Sequence, residues 1–223
     1  MEKRIFKNKV YQQLANIVKA MSNSHRLEIL ELLAQGRFSV AEIAEETAIS
    51  GANASQHLQV LKQAQLVSTQ REGNHVYYGL AGESVYKAWK ALRDLGIERV
   101  AEVERVLRQF RESRQSLETL SSEELAEKMR GGDITVIDVR PKHEFEEGHI
   151  AGAVNIPVEE LSEKLDELPD DQEIVAYCRG PFCVFADDAV ELLREKGFQA
   201  KRLDEGYPEW MLEELPIEYS NHE

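Results

Sequence analysis

The two cysteines of this 223-residue chain, Cys178 and Cys183, lie five positions apart in one short segment. The run Ile174–Tyr177 before them suits a parallel strand buried on both faces, and a helical apolar pattern follows from Val184 to Leu193. A thiol at the carboxyl end of such a strand, facing a helix N-terminus, lies where backbone N–H groups and the helix dipole stabilise an anion. We therefore expect the Cys178 thiol to have a pKa below its usual value of about 8.5 and to act as a nucleophile.

Other segments accompany this loop in a fixed order, namely Ile137-Asp-Val-Arg140, the run from Glu144 to Pro157 that contains Gly148-His-Ile150, and Gly206-Tyr-Pro-Glu-Trp210. Together with the six-residue loop 178–183 they resemble the rhodanese family over about residues 121–218. In that family a cysteine at the head of the loop carries a sulfane sulfur as a persulfide. Cys178 matches that cysteine, so the resemblance implies a sulfur-carrying site and small-molecule sulfur donors or acceptors as partners.

The loop departs from the common thiosulfate-type pattern at its end, where a basic or hydroxyl side chain is replaced by Cys183. This departure argues against thiosulfate as the preferred substrate, and a usual Gly-Gly is here Glu205-Gly206. A second thiol at position 183 could resolve an oxidised or persulfidated Cys178 into a disulfide. The alternative is that Cys183 only fills a small position at the helix start. Bridging requires Cα atoms within about 7 Å, which the spacing leaves open.

Two alternatives to a sulfur-carrying Cys178 follow from the residues. The thiol could be an inert core group, since free cysteine is often buried. A phosphatase or arsenate reductase is also conceivable, although such loops are one residue longer. Against the inert group, Arg179-Gly180-Pro181 lets several backbone N–H groups and one guanidinium face the sulfur. The candidate catalytic residues are therefore Cys178 and Arg179 with the backbone of loop 178–183.

The carboxyl-terminal half alternates between short apolar runs and amphipathic segments. The predicted elements are a strand at 134–138, a helix at 142–147, a strand at 153–156, a helix at 159–167, a strand at 174–177, a helix at 183–196, a strand at 199–202 and a helix at 207–214. This alternation predicts an α/β domain with a mostly parallel sheet. Asp138, Arg140 and the segment 148–150 are interpreted as structural, and His149 could serve as a base only if it lay near Cys178.

Helical apolar patterns also open the chain. One face of a first predicted helix carries Leu14, Ile17, Val18 and Met21, and a second apolar face runs from Leu27 to Leu33. Both helices are predicted to face the core.

Two shorter helices follow, at 39–49 and 53–62, with Ser50-Gly51 as the turn and helix cap between them. Such a pair describes a helix-turn-helix. Residues 66–80 alternate and are interrupted by Gly73-Asn74, which predicts a β-hairpin, the wing of the same domain.

The segment from Ser50 to Leu66, followed by Arg71-Glu-Gly73 and Tyr77-Tyr78, resembles the ArsR family of winged helix-turn-helix repressors over roughly residues 5–93. Members of that family are usually dimers that bind inverted-repeat operators and leave them when an inducer binds. The resemblance therefore implies a homodimer and double-stranded operator DNA as a partner. We predict an α+β winged helix-turn-helix domain at 1–95, a helical linker at 96–120 and an α/β rhodanese-like domain at 121–223.

On the recognition helix, Leu58 and Leu61 must point inward, which turns polar side chains outward. The candidate DNA-binding residues are Ser50, Asn53, Ser55, Gln56, Gln59, Lys62, Arg71 and His75. Short polar side chains suit base edges, whereas Lys62, Arg71 and His75 suit phosphates. For His57 a DNA contact and a packing role between helices both stay open.

Many ArsR relatives sense metals through a Cys-x-Cys pair before the turn, or through His and acidic residues on the last helix. Here Phe38–Glu42 contains no thiol, and Val85–Leu92 contains no His, Asp or Glu. We therefore expect no metal site in the first domain, and no cofactor.

The linker has apolar residues at 97, 100, 103, 107 and 110, which predicts one helix over 97–114. Packing on the preceding helix or on a dimer mate is the simpler role, and a mechanical link between the domains is the alternative. The polar segment 115–121, with Ser121 or Ser122 as a helix cap, marks the domain boundary.

Charge differs between the two halves. Residues 1–95 hold 12 Lys and Arg against 9 Asp and Glu, a net +3, while residues 96–223 hold 15 against 32, a net −17. This asymmetry is compatible with a DNA-facing first half. The sequence shows no long apolar stretch and no signal-peptide pattern at its start, so we expect a cytoplasmic protein with no membrane partner.

Two functional hypotheses follow. In the first, the chain is a DNA-binding repressor whose rhodanese-like domain senses sulfane sulfur or oxidant at Cys178, with Cys183 resolving. In the second, it is a sulfurtransferase that works through a Cys178 persulfide, and the winged helix is an autoregulatory module. The first is favoured because the loop departs from the thiosulfate pattern and carries a second thiol.

Overall fold

The computed structural model of the chain describes residues 2–112, 118–132 and 134–220. The chain divides into two compact units, Met1–Gly96 and Ile97–Glu223. Each unit has its own sheet and its own buried apolar side chains. Across the described residues, no helix is both long and apolar enough to cross a membrane.

The first unit combines helices with a small antiparallel sheet. Its elements in chain order are α1 (Glu2–Met21), α2 (Ser24–Leu33), β1 (Phe38–Ser39), α3 (Val40–Glu46), α4 (Gly51–Gln63), β2 (Val67–Glu72), β3 (His75–Leu80) and α5 (Glu83–Arg99). The strands lie in the order β1-β3-β2. This arrangement confirms the predicted winged helix-turn-helix.

Local hydrogen bonds define the two helices of the helix-turn-helix. Ser39 caps α3 in a reciprocal capping box with Glu42. The Ser50 hydroxyl accepts a hydrogen bond from the Asn53 amide at 3.3 Å and so caps α4, as its position before the helix predicted. In the wing, β2 and β3 pair from Val67↔Leu80 to Glu72↔His75. Gly73, the first of the two turn residues, has a φ of +59°, which glycine adopts without strain.

The prediction that α1 faces the core is wrong. Only the end of this helix is buried, at Ala20 and Met21, whereas Leu14, Ile17 and Val18 are 50%, 38% and 66% exposed. The periodic pattern correctly predicts a helix with an apolar face, but a single chain does not cover that face. By contrast, α2 buries its apolar residues as expected, namely Ile29, Leu30, Leu32 and Leu33.

The second unit alternates helices with mostly parallel strands. Its elements in chain order are α6 (Ala101–Glu112), β4 (Thr119–Leu120), α7 (Ser122–Gly131), β5 (Ile134–Asp138), α8 (Lys142–Glu147), β6 (His149–Ile150), β7 (Val154–Asn155), β8 (Glu173–Tyr177), α9 (Phe185–Glu195), β9 (Ala200–Leu203), α10 (Tyr207–Leu212) and β10 (Ile217–Glu218). Five strands form a parallel sheet in the order β4-β9-β8-β5-β7. A separate antiparallel pair joins β6 and β10.

The central strand β8 is buried on both faces, as its apolar run predicted. Ile174 and Ala176 belong to one hydrophobic cluster, together with α9, and Val175 and Tyr177 belong to a second cluster that contains Trp210 of α10. Because successive side chains of a strand point to opposite faces, one short run contributes to both cores. Cys178, which follows Tyr177, is therefore attached to a strand that is packed on both faces.

Two predicted helices differ from the structure. The segment 159–167 forms two short 3₁₀ turns, Leu161–Glu163 and Leu165–Glu167, and the chain becomes extended at Leu168, because a residue before proline disfavours the helical conformation. The helix predicted over 97–114 is interrupted at Val100, where α5 has ended and α6 begins. The Val100 carbonyl oxygen accepts hydrogen bonds from the Val103 and Glu104 amides at 2.9 and 3.4 Å, so this residue begins α6 instead of continuing α5. The predicted end at 114 lies outside the described residues.

Candidate functional site

Cys178 lies at the carboxyl end of the central strand of the second unit. It directly follows β8, which is paired on both sides, with β5 and with β9. The side chain is 2% exposed, and its carbonyl oxygen accepts a hydrogen bond from the Tyr207 amide at 3.2 Å. The backbone at Cys178 is thus held by the sheet and by the start of α10.

The chain turns back within the loop 178–183, here called the cysteine loop. The Cys183 amide donates a hydrogen bond to the Gly180 carbonyl oxygen at 3.0 Å, which closes a turn whose central residues are Pro181 and Phe182. A disulfide joins Cys178 to Cys183, and their Cα atoms are 6.3 Å apart. That separation lies in the ordinary range for a disulfide, a point that the sequence spacing had left open. Helix α9 begins two residues later, at Phe185.

Arg179 is held by a carboxylate to which sequence reasoning gave no role. Its Nε donates to both carboxylate oxygens of Glu144, at 3.0 and 3.1 Å, and its guanidinium lies 5.4 Å from the ring centre of Phe185. Glu144 belongs to α8 and is fully buried. The charge of Arg179, which was expected to face the sulfur, is therefore already balanced by Glu144. The signal in the sequence was the position of Glu144 at the start of the rhodanese-like run 144–157.

Asp138 and Arg140 form a second, fully buried ion pair with a structural role. The Arg140 Nε lies 3.0 Å from an Asp138 oxygen, and its terminal nitrogen donates to the Gly148 carbonyl at 2.8 Å. Burial opposes the charge of Arg140, but Asp138, Tyr177 and Glu144 together outweigh this effect and raise the pKa of the guanidinium. The guanidinium also lies over the ring of Tyr207, whose pKa is raised to about 12 by burial first and by Tyr219 second.

His149 contacts residues other than the cysteines. Its Nδ1 lies 2.8 Å from the Phe145 carbonyl oxygen, and its ring stacks on the Phe145 ring with 3.6 Å between centroids. Its Nε2 lies 3.8 Å from a carboxylate oxygen of Glu218. These contacts join α8, β6 and β10, which agrees with the structural interpretation of this histidine.

Gly206 lies in direct contact with the cysteine loop. A Cβ atom at this position would overlap the backbone of Arg179 and Gly180, including the Arg179 carbonyl oxygen at 2.6 Å. The carboxylate of the neighbouring Glu205 accepts a hydrogen bond from the Ser122 amide at 3.0 Å. Sequence reasoning noted this pair as a departure but did not assign Gly206 to the loop.

The recognition helix α4 has the predicted division between its faces. Ala54, Leu58 and Leu61 are buried. The predicted DNA-binding residues on the other side of the helix or at its start are exposed, namely Ser50, Asn53, Gln56, Gln59 and Lys62. Ser55 is only half exposed. The hydroxyl of Ser50 caps the helix, so this residue has a structural role beside any contact with DNA.

The wing presents the predicted basic residues at its exposed end. The Arg71 Nε donates to the Gly73 carbonyl oxygen at 3.3 Å, and His75 is exposed at the start of β3. Lys62 of α4 donates to the Thr69 hydroxyl of β2 at 2.9 Å, which ties the recognition helix to the wing. An additional basic residue, Arg37, is paired with Glu72 at 2.7 Å and was missed from the sequence.

His57 has a packing contact on α4. Its ring lies 5.6 Å from the ring of His25, and the side chain is half-buried. Its pKa is lowered from the ordinary value by burial first, and then by the charges of Arg26 and His25. The packing role that the sequence left open is therefore present in the free protein.

Comparison with known proteins agrees with this architecture. Residues 23–69 match the family described as "Bacterial regulatory protein, arsR family", and residues 121–213 match the "Rhodanese-like domain". The chain is 42% identical over 206 residues to the HTH-type transcriptional regulator Rv0324 of Mycobacterium tuberculosis, a match that covers 92% of this chain and 90% of that protein. It is 43% identical over 65 residues to the transcriptional repressor SdpR of Bacillus subtilis, which covers 29% of this chain and 72% of the repressor.

A solved structure is also similar to the first unit. It is the homodimeric winged helix-turn-helix DNA-binding domain of Mb0332 from Mycobacterium bovis, 39% identical, with a TM-score of 0.41 over 42% of this chain and 87% of that one.

The chain thus combines a winged helix-turn-helix domain with an α/β domain that carries the cysteine loop, which is the architecture of a two-domain regulatory protein. The extent of the match to Rv0324 shows the family. The chain belongs to the arsR family of bacterial regulatory proteins and carries a rhodanese-like domain on its carboxyl side. It is a DNA-binding transcriptional regulator.

Proposed function

We propose that this regulator is a homodimeric repressor whose rhodanese-like unit senses sulfane sulfur or oxidant through Cys178 and Cys183. The observation that carries the proposal is the disulfide between the two thiols, which closes the loop between the end of β8 and the start of α9. A thiol pair within one loop can exist in a reduced and a bridged state, and two states are the minimum that a switch requires.

Operator binding is assigned to the first unit. The exposed polar residues of α4 suit base edges in the major groove, and Arg71 and His75 of the wing suit phosphates. The exposed apolar face of α1, with Leu14, Ile17 and Val18, supports a homodimer, because a second copy would cover it. The proposed place of action is the cytoplasm, where the operator DNA lies.

The sulfur chemistry is assigned to the cysteine loop in two steps. In the first step, the Cys178 thiolate attacks the outer sulfur of a small persulfide donor. The S–S bond of the donor breaks, the remainder of the donor leaves as a thiolate, and Cys178 becomes a persulfide. In the second, the Cys183 thiolate attacks the inner sulfur of that persulfide, and hydrosulfide leaves as the disulfide forms. The donor supplies the oxidising equivalent, so the step needs no further oxidant.

A second candidate function, sulfur transfer to an acceptor, rests on a specific observation. The match to the rhodanese-like domain covers residues 121–213, including the whole cysteine loop. In that case the Cys178 persulfide would pass its outer sulfur to an external nucleophile before Cys183 attacked it. The two functions differ in whether the sulfur state of the loop changes operator affinity.

Operator affinity of the full chain tests the proposal. The DNA would be selected from a random-sequence library by the reduced protein, and affinity would be measured with and without polysulfide. We expect release on treatment, by roughly 5–150-fold, the ordinary size of coupling between two sites, and recovery with dithiothreitol. Cys178→Ser should bind like the reduced protein and ignore polysulfide. Cys183→Ser should accept a persulfide but respond weakly.

Turnover with cyanide as acceptor, measured on the same preparations, separates the two functions. Rapid turnover without any effect of polysulfide on DNA affinity would favour the sulfurtransferase. If Cys178→Ser still releases DNA when polysulfide is added, the sensor does not lie in this loop.

A further inference from the structure

A cavity of about 440 Å³ lies within the second unit, between α6 and the cysteine loop. Its apolar lining includes Val103, Val106, Leu107 and Phe110 of α6 and Pro181 and Phe182 of the loop. The volume lies in the range of sites for small organic molecules. Val106, Phe110 and Phe182 are 53%, 37% and 39% exposed, so the cavity is open to solvent.

The two sulfur atoms of the disulfide differ in their access to this cavity. Cys183 lines the cavity and is only partly buried, whereas Cys178 is 2% exposed and belongs to the hydrophobic core. A nucleophile within the cavity therefore meets the sulfur of Cys183. Access to one sulfur decides which of the two is attacked in thiol–disulfide exchange.

The charged residues that line the cavity already have partners. The pairs are Glu102 with the Arg105 guanidinium at 2.9 Å, Asp187 with the Arg202 guanidinium at 3.4 Å and Arg111 with the Pro181 carbonyl oxygen at 3.1 Å. Ion pairs neutralise Glu102 and Asp187, and most of the remaining lining is apolar, so a charged ligand would exchange part of its hydration for contact with apolar side chains. The cavity thus complements a body that is uncharged and apolar.

We propose that this cavity binds an uncharged, apolar organic thiol, which attacks the sulfur of Cys183 and returns the oxidised loop to its dithiol form. This inference rests on the proposed function, because it takes the disulfide as the oxidised state of the sensor. It adds the chemical class of the reductant and the cysteine at which reduction begins.

The reaction balances in two exchanges. The thiolate of the ligand forms a disulfide with Cys183, the Cys178–Cys183 bond breaks, and Cys178 leaves as a thiolate. A second molecule of the thiol then attacks the sulfur of the bound ligand, which frees the Cys183 thiolate and releases the symmetrical organic disulfide. Two thiols are oxidised, one protein disulfide is reduced, and the two protons of the ligands end on the protein thiols.

The rate of reduction of the oxidised full chain tests the ligand class. 2-Phenylethanethiol and 2-mercaptoethanol are both uncharged and differ in the polarity of the body, and their intrinsic reactivity is corrected with a small-molecule disulfide. We expect the apolar thiol to react faster after this correction, on the order of tenfold, equal to about 1.4 kcal/mol. We also expect 2-phenylethanol, which has the same body and no sulfur, to slow the apolar thiol and leave 2-mercaptoethanol unaffected. Equal corrected rates, or no inhibition by the alcohol, would overturn the proposal.

A matched pair of variants locates the binding site. Val106→Ser removes an apolar group from the cavity, and Val154→Ser makes the same change on β7, away from the cavity. The two residues are similarly exposed, Val106 at 53% and Val154 at 49%. We expect Val106→Ser to lose most of the preference for the apolar thiol and Val154→Ser to keep it. A preference that survives both changes would place the ligand elsewhere and contradict the cavity.

Peptide mass after rapid quenching with N-ethylmaleimide identifies the attacked cysteine. Trypsin cleaves after Arg179, which separates the peptide Leu165–Arg179 with Cys178 from the peptide Gly180–Arg194 with Cys183. The ligand should be found on Cys183 and the maleimide on Cys178, and the reverse would refute the assignment. These measurements need no DNA. If oxidised and reduced protein bound the operator equally, the proposed function would fail while the cavity result stood by itself.

Discussion

The carboxylate of Glu144 holds the guanidinium of Arg179 through both of its oxygens, at 3.0 and 3.1 Å from Nε. Glu144 is fully buried on α8, and Arg179 directly follows Cys178 in the loop. The ion pair therefore fixes the start of the cysteine loop to a helix that lies 35 residues earlier in the chain. A buried charge whose partner is removed is costly, because the remaining ion has lost its hydration.

Glu144→Gln should destabilise the second unit. We expect a loss of about 3 kcal/mol in the free energy of unfolding, measured by urea denaturation of the full chain, because Arg179 is left without its counter-charge. The matched control is Glu146→Gln on the same helix, which breaks a pair with Lys142 whose side chain is 80% exposed. That change should cost less than about 0.5 kcal/mol. Equal costs for the two variants would show that the buried pair has no special role.

Gly206→Ala should disturb the loop by a different mechanism. A methyl group at this position would overlap the backbone of Arg179 and Gly180, which cannot move as a side-chain end can. We expect a loss of about 1–3 kcal/mol and slower closure of the disulfide, followed by maleimide labelling. Gly131→Ala is the control, since a Cβ there meets nothing within 4 Å and the position is helical. It should leave stability unchanged or raise it by up to about 1 kcal/mol.

Local patterns in the sequence were sufficient for most elements of the fold. The continuous apolar run from Ile174 to Tyr177 predicted a strand that is buried on both faces, and Ser50 predicted the cap of α4, because each depends on neighbours within a few positions. Contacts between distant segments were not visible in the same way. Neither the partner of Arg179 nor the contact between Gly206 and the loop follows from spacing.

The wrong prediction that α1 faces the core has another origin. Its apolar pattern indicates that one face of the helix is buried, but it does not indicate whether the covering surface belongs to the same chain. Leu14 and Val18 remain 50% and 66% exposed in the single chain. The prediction of one helix over 159–167 was wrong for a further reason: Pro169 holds the preceding Leu168 in an extended conformation, which ends the helical turns there.

His57 provides a prediction about pH. Its pKa lies below the ordinary value of 6.5, mainly because of burial and secondly because of electrostatic repulsion from Arg26 and His25. Between the depressed pKa and 6.5 the unfolded chain therefore binds more protons at this residue than the folded chain does. The free energy of unfolding consequently rises with pH across that window and falls as the solution becomes more acidic.

His57→Gln should flatten this pH dependence. Urea denaturation between about pH 5 and pH 7.5 would measure it, because an imidazole of the unfolded chain changes its charge within that range. His75→Gln is the matched control, since it removes one histidine from an exposed position in the wing. An unchanged slope for His57→Gln would mean that the surroundings of this histidine do not disfavour its protonated form.

Gln56 is expected to contribute to operator preference. It is exposed on α4, and a glutamine amide can pair with the edge of an adenine through two hydrogen bonds. Gln56→Ala should lose about 1–3 kcal/mol against the preferred operator and much less against other sequences, as measured by competition between DNA fragments. Gln12→Ala, on the exposed face of α1, should keep the full preference. A uniform loss across all sequences would instead assign Gln56 to the backbone.

Arg71 is expected to contribute affinity without sequence preference. It lies at the exposed end of β2, and its Nε donates to the Gly73 carbonyl oxygen, which orients the side chain along the wing. Each phosphate that a protein neutralises contributes about −0.9 to the slope of log affinity against log salt concentration, because counterions are released. Arg71→Ala should therefore weaken binding to all DNA sequences alike and make that slope shallower by about 1.

Arg108→Ala is the control for this prediction. It removes the same charge from the exposed surface of α6 and should leave the slope unchanged, since that helix belongs to the second unit. A slope that is unaffected by Arg71→Ala would exclude a phosphate contact at this position, and an equal effect of Arg108→Ala would mean that overall charge, rather than the wing, determines the salt dependence.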